Sequence, residues 1–300
     1  MIFAGAIAVL NWDLQNLSTD QYENNSHEIT EDFSAIAIYT DTADVELLPC
    51  EYSICRVECY EKTNRTHTVS VKDGTLTVEL VDTRKWYEHI GINFGAPKIT
   101  VYMPRGEYGA LSVSSDTSDV KIPKDFKFES IDVSLSTGAV LCCASAADTV
   151  KIATTTGDIS IENISAALLD LSVSTGTVTA SDVVCEGDVK VGVSTGKTYL
   201  TDIACQSVIS SGSTGDMFLK NVIAAERFSI DRSTGDVNFD GCDAAEIYVN
   251  TDTGDVEGSL LSEKVFIVNT DTGKKKVPNT VSGGRCEIRT DTGDIEITIK

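Results

Sequence analysis

From residue 137 onward the dipeptide Thr-Gly recurs with a spacing that leaves the chain little choice of fold. Its glycines stand at 138, 157, 176, 196, 215, 235, 254, 273 and 293, so every interval is 19 or 20 residues. Thr117-Ser118 extends the series one turn earlier, with serine in the glycine place, and Thr42-Ala43 is a more distant echo. A fixed period of this size marks a solenoid, in which each repeat buries its apolar side only against its neighbours.

The columns around each glycine say what the repeat is made of. Seven residues before it stand Ile131, Val150, Leu169, Val189, Val208, Phe228, Ile247, Phe266 and Cys286; five before stand Val133, Ile152, Leu171, Val191, Ser210, Ile230, Val249, Val268 and Ile288. Mostly polar residues separate the two columns, and this period-two alternation predicts a half-buried strand. A second strand follows the glycine, with Val140, Ile159 and Val178 two on and Cys142, Ile161 and Ala180 four on. Asn163, Asp182, Asp202, Asn221 and Gly241 then supply a corner residue that tolerates positive φ. Ala147, Ala166, Cys185, Cys205, Ala224 and Ala244 form a small-residue column suited to a crowded corner.

The expected fold is all-β: a single-stranded right-handed β-helix of 19–20 residues per turn, the hand following the strong bias of parallel crossovers. Nine intervals from Ser118 to Gly293 at strand spacing give a rod of about 43 Å. Residues 111–300 are the regular repeats, and residues 28–110 an irregular β cap with the first turns. Within that cap 35–48 reads as one repeat turn, 68–80 as a hairpin joined at Asp73-Gly74, 98–103 as a strand and 84–95 as a loop. Residues 1–12 contain the apolar run Met1–Leu10, too short to cross a bilayer. It reads either as the end of a membrane anchor or as a buried first strand; we take the anchor reading.

Composition narrows the function. A formal net charge of −22 excludes a nucleic-acid-binding role, which needs clustered Lys and Arg. Nine cysteines form no Cys-x-x-Cys pair, and most fall in inward columns as small core residues.

The recurring S-T-G-D-V and T-D-T-G-D-V/I segments, with DGTLTVEL (73–80), RKWYEHIGINFG (84–95) and PKITVYMP (97–104), carry a family likeness. From about residue 28 to 300 the chain resembles bacterial β-strand-repeat proteins that bear the provisional name adhesin, a domain family of unknown function. The resemblance implies a β-helical exterior part, a cell-envelope location with an N-terminal membrane helix, and in some related domains a part in envelope stress. It supplies no catalytic residues.

The chemistry-bearing residues have a structural and a functional reading. The threonines before each glycine fix the bend, or form a hydroxyl face for ice or glycan. In the last three turns Asp252, Asp271 and Asp291 stand two before the glycine and make a candidate weak cation site, since Ca²⁺ takes six to eight hard oxygens; solvated turn residues are the alternative. Arg232 occupies an inward column shared with Leu135, Val173 and Val193. Gly212 in the preceding turn leaves room for its stem, with the guanidinium expected on an acidic or carbonyl partner. Lys274-Lys275-Lys276 is the sole basic run. His27, His67 and His89 lie outside the repeats, and the intervals of Cys50, Cys55 and Cys59 fit no standard zinc spacing.

No catalytic residue, cofactor or metal is therefore expected beyond that weak cation site. The function read from the sequence is a non-catalytic, membrane-anchored envelope β-helix that presents an extended surface to a protein or cell-wall polymer. The alternatives are an envelope-stress sensor and a polysaccharide-acting β-helix enzyme. The final strand, 295–299, ends the chain without a visible cap, so homodimerisation through an open solenoid end is also expected.

Overall fold

The computed structural model describes residues 21–82 and 95–300; the apolar N-terminal run and the 84–94 stretch read as a loop lie outside them. Among the described residues there is no helix, and hence none long and apolar enough to cross a membrane. The chain is a stack of parallel coils, each a strand, a Thr-Gly bend, a second strand and a corner. Successive coils pair in register across the strands that flank each bend, as in Ile152↔Leu171 and Leu171↔Val191 before the bend and Ile159↔Val178 after it, with shifts confined to places such as Cys205/Ser207 and Ala224/Arg227. The aliphatic rows pile into one continuous interior, with Leu171, Val191 and Ile230 at 0%, 2% and 2% exposure.

Close approach of neighbouring backbones explains the glycine column. At each bend the glycine has φ between +130° and +159°, and the carbonyl oxygen of the bend residue on the adjacent coil lies where a Cβ would stand. The glycine N–H donates across the stack to the threonine carbonyl of the next coil, for example Gly138 to Thr156 at 2.9 Å. Any side chain at this position would force two coils apart. The corners behave as their residues require: Asn163, Asp182, Asp202, Asn221 and Gly241 all have φ between +51° and +65°. One coil departs from this. Val140, Cys142, Ala144 and Ala146 alternate inward straight through its corner, so Ala146 rather than Ala147 fills the small-residue place, and Ala147 is exposed.

The spatial order of coils differs from the chain order at both ends. Ala35–Thr40 pairs with Thr75–Asp82 on one side and with Gly106–Thr117 on the other, while Asp44–Cys50 lies between Lys98–Pro104 and Val120–Ile122. The first coil in sequence is thus second in space. The other end repeats the device. Gly284–Thr292 pairs with both Val237–Thr253 and Lys264–Thr272, and Ile295–Ile299 lies between Val256–Leu260 and Lys275–Lys276.

This corrects the expectation that 295–299 forms an open end. The last strand is threaded inside the stack, and the terminal coil runs from Lys264 to Lys276. Gly283 and Gly284 permit the threading: carbonyls of Glu263 and Ala245 occupy the space their side chains would need. Being terminal also explains two breaks in the columns, since Lys275 is exposed and Val277 only half-buried.

The N-terminal end is closed by antiparallel strands. Cys55–Lys62 pairs with Lys98–Pro104 and with Tyr22–Ile29, and Arg65–Lys72 turns at Asp73-Gly74 to pair with Thr75–Asp82. Asp73 and Gly74 have φ of 50° and 75°, as the hairpin reading requires.

Candidate functional site

Residues 51–54 carry the chain out of the parallel stack and into the antiparallel cap, and this change of direction leaves an exposed tip. Tyr52 is 80% exposed and Ile54 48%. On one side of the tip lies a groove of about 390 Å³ lined by Glu28, Cys50, Tyr52, Ile54, Arg56 and Tyr102. A second groove of about 390 Å³ shares Ile54 and is lined also by Glu31, Asp32, Phe33, Pro104 and Tyr108.

The walls of both grooves are held in place. The Arg56 guanidinium sits 4.6 Å over the Tyr102 ring and its Nε lies 3.3 Å from Glu58. Tyr108 donates its hydroxyl to the Pro104 carbonyl at 2.7 Å, and its ring packs on Phe33, Phe126 and Phe128. Burial pushes the Tyr108 phenol and the Cys55 thiol each up to about 12, so both stay neutral at physiological pH. The pair of grooves is aromatic-walled, with Glu28, Glu31 and Asp32 set against one arginine, Arg56.

The residues singled out in the sequence fall elsewhere. The bend threonines are exposed along one edge of the rod, and their carbonyls hold the bends together. Asp252, Asp291 and Asp271 stand in that spatial order on the last three coils, all exposed. The aspartates one after the glycine have a structural task. Each accepts a hydrogen bond from the backbone N–H at the same position of the next coil: Asp158 from Thr177 at 2.7 Å, Asp236 from Asp255 at 2.8 Å, Asp255 from Asp294 at 2.7 Å, Asp294 from Lys274 at 2.8 Å.

Arg232 lies in the interior at 0% exposure, directly beside Gly212 as its column implied. Its Nη1 occupies the space a Gly212 side chain would take. The partners differ from those expected. Nη2 donates to the hydroxyls of Ser210 at 2.9 Å and Thr198 at 3.1 Å, two polar interruptions of the inward columns, rather than to a carboxylate or carbonyl.

On the outer face Tyr199 and Phe218 stack at 5.0 Å with 8° between their planes, and Lys197 lies over Phe218. Lys197 also pairs with Asp216 at 3.0 Å. Burial alone would raise the Asp216 carboxyl, but hydrogen bonds from Lys197 and from the Asp236 N–H hold it below its ordinary value.

Among the described residues, one group of three Cys, His or carboxylate side chains brings its ligand atoms within 4.8 Å of one another: Cys59, Glu61 and His67. Asp252, Asp271 and Asp291 do not form such a group. Cysteine spacing alone could not reveal the trio. The signal was strand alternation: Cys59 and Glu61 share a face two residues apart, and a short turn at Thr63-Asn64 returns His67 to it.

The fold defines the class: an all-β solenoid repeat protein with an antiparallel cap. More narrowly, the chain belongs to the Toastrack DUF4097 family, whose model matches residues 33–193 and again 184–300. No curated protein matches it in sequence. Among solved structures it is similar to a provisional adhesin from Parabacteroides merdae, at 12% identity and a TM-score of 0.52, covering 94% of this chain and 98% of that one. It is also similar to a provisional adhesin from Bacteroides fragilis, at 14% identity and a TM-score of 0.45 over 92% and 97% of the two chains.

Proposed function

We propose that the chain is a non-catalytic β-solenoid of the bacterial cell envelope that holds a partner in the paired grooves beside Tyr52 and Ile54. The observation that carries this reading is the tip itself. A large exposed tyrosine and isoleucine line the first groove, and the isoleucine is shared with the second. Aromatic and arginine side chains in pockets anchor most interfaces, and exposed apolar patches mark interaction sites. The adhesin-type name of the Parabacteroides merdae protein of similar fold supports a binding role.

Charge narrows the partner. With a net charge of −22 the rod repels polyanions and favours a neutral or basic partner. A neutral cell-wall glycan strand and a basic protein segment both fit.

The test is direct binding of the tag-free chain to isolated cell-wall glycan and to a lysine-rich model peptide, each at low and high salt. Replacing Tyr52 with Ala and Ile54 with Ser leaves the fold intact, because both side chains are solvent-facing. The double variant should bind at least about tenfold more weakly, as loss of interface anchors does. Salt-insensitive binding identifies the glycan, and salt-sensitive binding the peptide. Equal binding by parent and variant removes the grooves from the account.

A further inference from the structure

The Cys59–Glu61–His67 trio lies apart from the grooves, where the antiparallel cap meets the first coils. All three side chains are buried, at 0%, 1% and 6% exposure. Glu61 Oε2 lies 2.6 Å from His67 Nδ1 and also accepts the His67 backbone N–H at 2.7 Å. We propose that Cys59, Glu61 and His67 are the protein ligands of a transition-metal site for a zinc-class divalent ion, which clasps the N-terminal cap to the solenoid.

Donor chemistry selects the ion. One sulfur, one nitrogen and one carboxylate oxygen suit zinc and its neighbours, whereas calcium and magnesium take oxygen almost exclusively. Each hard-to-orient ligand has an outer partner, as metal sites require. Asn25 donates to Glu61 Oε1 at 2.7 Å, and the Thr40 hydroxyl lies 2.9 Å from His67 Nε2. These contacts tie four strands to the trio: Tyr22–Ile29, Ala35–Thr40, Cys55–Lys62 and Arg65–Lys72.

A fourth ligand also has room. Glu61 and His67 line a small cavity of about 20 Å³ together with Thr40, Thr42, Leu80 and Pro97, enough for one water. Two cations border the same cavity, but other groups engage them. Arg65 pairs with Asp41, and the Lys62 ammonium lies 6.0 Å over the Tyr22 ring.

The proton balance is simple. Without metal the Cys59 thiol is protonated, because burial, with Glu61 adjacent, pushes it up to about 12. Binding expels that proton to solvent as the metal–sulfur bond forms. His67 would bind through the Nδ1 lone pair, with its ring proton on Nε2 donating a hydrogen bond to Thr40 Oγ1.

Cobalt(II) tests the site, since it reports both geometry and sulfur ligation. The chelator-stripped, tag-free full chain is titrated with cobalt. One equivalent should produce the visible bands of a four-coordinate ion and a near-ultraviolet sulfur-to-cobalt charge-transfer band. Cys59→Ser should lose the charge-transfer band, while Cys242→Ser keeps it. His67→Gln should weaken binding by at least about tenfold, the minimum expected even for an outer partner. Zinc should raise the parent melting temperature and chelator should reverse the rise, a readout that needs no variant. A parent that shows no cobalt spectrum and no zinc-dependent melting shift overturns the proposal, as does a charge-transfer band that survives in a folded Cys59→Ser.

Discussion

Arg232 shows how much a single residue can disturb an apolar stack and how the neighbouring coils absorb it. Burial pushes its guanidinium pKa down, with Asp216 opposing, and its Nε and Nη1 have no partner in the interior. A buried charge with partial satisfaction is often dispensable, whereas crowding it is costly. Arg232→Leu should therefore be at least as stable as the parent, by up to about 2 kcal/mol. Gly212→Leu should lose about 3 kcal/mol, because it displaces the guanidinium from the only space it has. Combining the two should recover part of that loss, since Val193 also crowds a side chain at 212. Urea unfolding of the four proteins measures the coupling directly. The cysteines pose a simpler question. Burial pushes the Cys142 thiol up to about 12, and only Cys50 and Cys143 among the nine are less than fully buried. A thiol reagent should label those two first in the native protein and the remaining seven only on unfolding, as peptide mapping would show.

Single coils are held to one another by repeated backbone devices, and the aspartate ladder is the one most open to test. Stacked like charges at strand spacing repel, yet each carboxylate captures an N–H of the next coil. Asp236→Ala removes the acceptor for Asp255 and should cost about 1 kcal/mol. Asp236→Asn keeps an acceptor and relieves repulsion, so its unfolding midpoint should match or exceed that of the parent, most clearly at low salt. Asp216 adds a pH dependence. Its folded carboxyl is held below the unfolded value, so its contribution is complete above about pH 4, the ordinary range for aspartate. It is lost as pH falls through the lower folded value. The stability gap between the parent and Asp216→Asn should accordingly close on acidification, and a gap unchanged below both values would contradict the Lys197 contact. Glycine, asparagine and threonine columns made these elements legible, because each coil must solve the same steric problem at the same place. The ladder was visible in sequence only as an acidic stripe. Its purpose depends on which amide faces each carboxylate, and that is a relation between coils. Arg232 was half legible for the same reason: the vacant place at Gly212 was one coil away in register, but the hydroxyls of Thr198 and Ser210 are far apart along one long strand, Thr198–Thr214, and meet only because it runs through a corner.

At the scale of the whole molecule, both ends thread one coil inside another, and a period of constant length cannot show this. The coils ending at Gly273 and Gly293 have matching columns, so chain order and spatial order look alike. The hints were local: Lys275 in an inward column, and Gly283-Gly284 in the connection. The consequence is that Lys264–Thr272 and Lys275–Lys276, rather than the C-terminal strand, present the free edge. An unpaired edge of a parallel stack is a template for a second copy, and lysines are a common means of blunting it. Here the Lys274–Lys276 run lies on that edge, with Lys275 donating to Asn269 at 3.2 Å and Lys276 paired to Glu296. Thr280 in the following connection donates to the Lys264 carbonyl. Val265 and Ile267 nevertheless remain 38% and 48% exposed beside it. We expect the lysines to set how readily two copies join through this end. Replacing Lys275 with Thr and Lys276 with Val removes two positive charges and leaves a strand of high β propensity on an exposed apolar border. Light scattering across a concentration series should then detect end-to-end association at concentrations at least about tenfold below those needed by the parent, a shift of about 1.4 kcal/mol. The coil interior is untouched by these substitutions, so the melting temperature at low concentration should stay with the parent. Association unchanged in the variant would mean that the threaded coil, and not its charge, keeps the end closed.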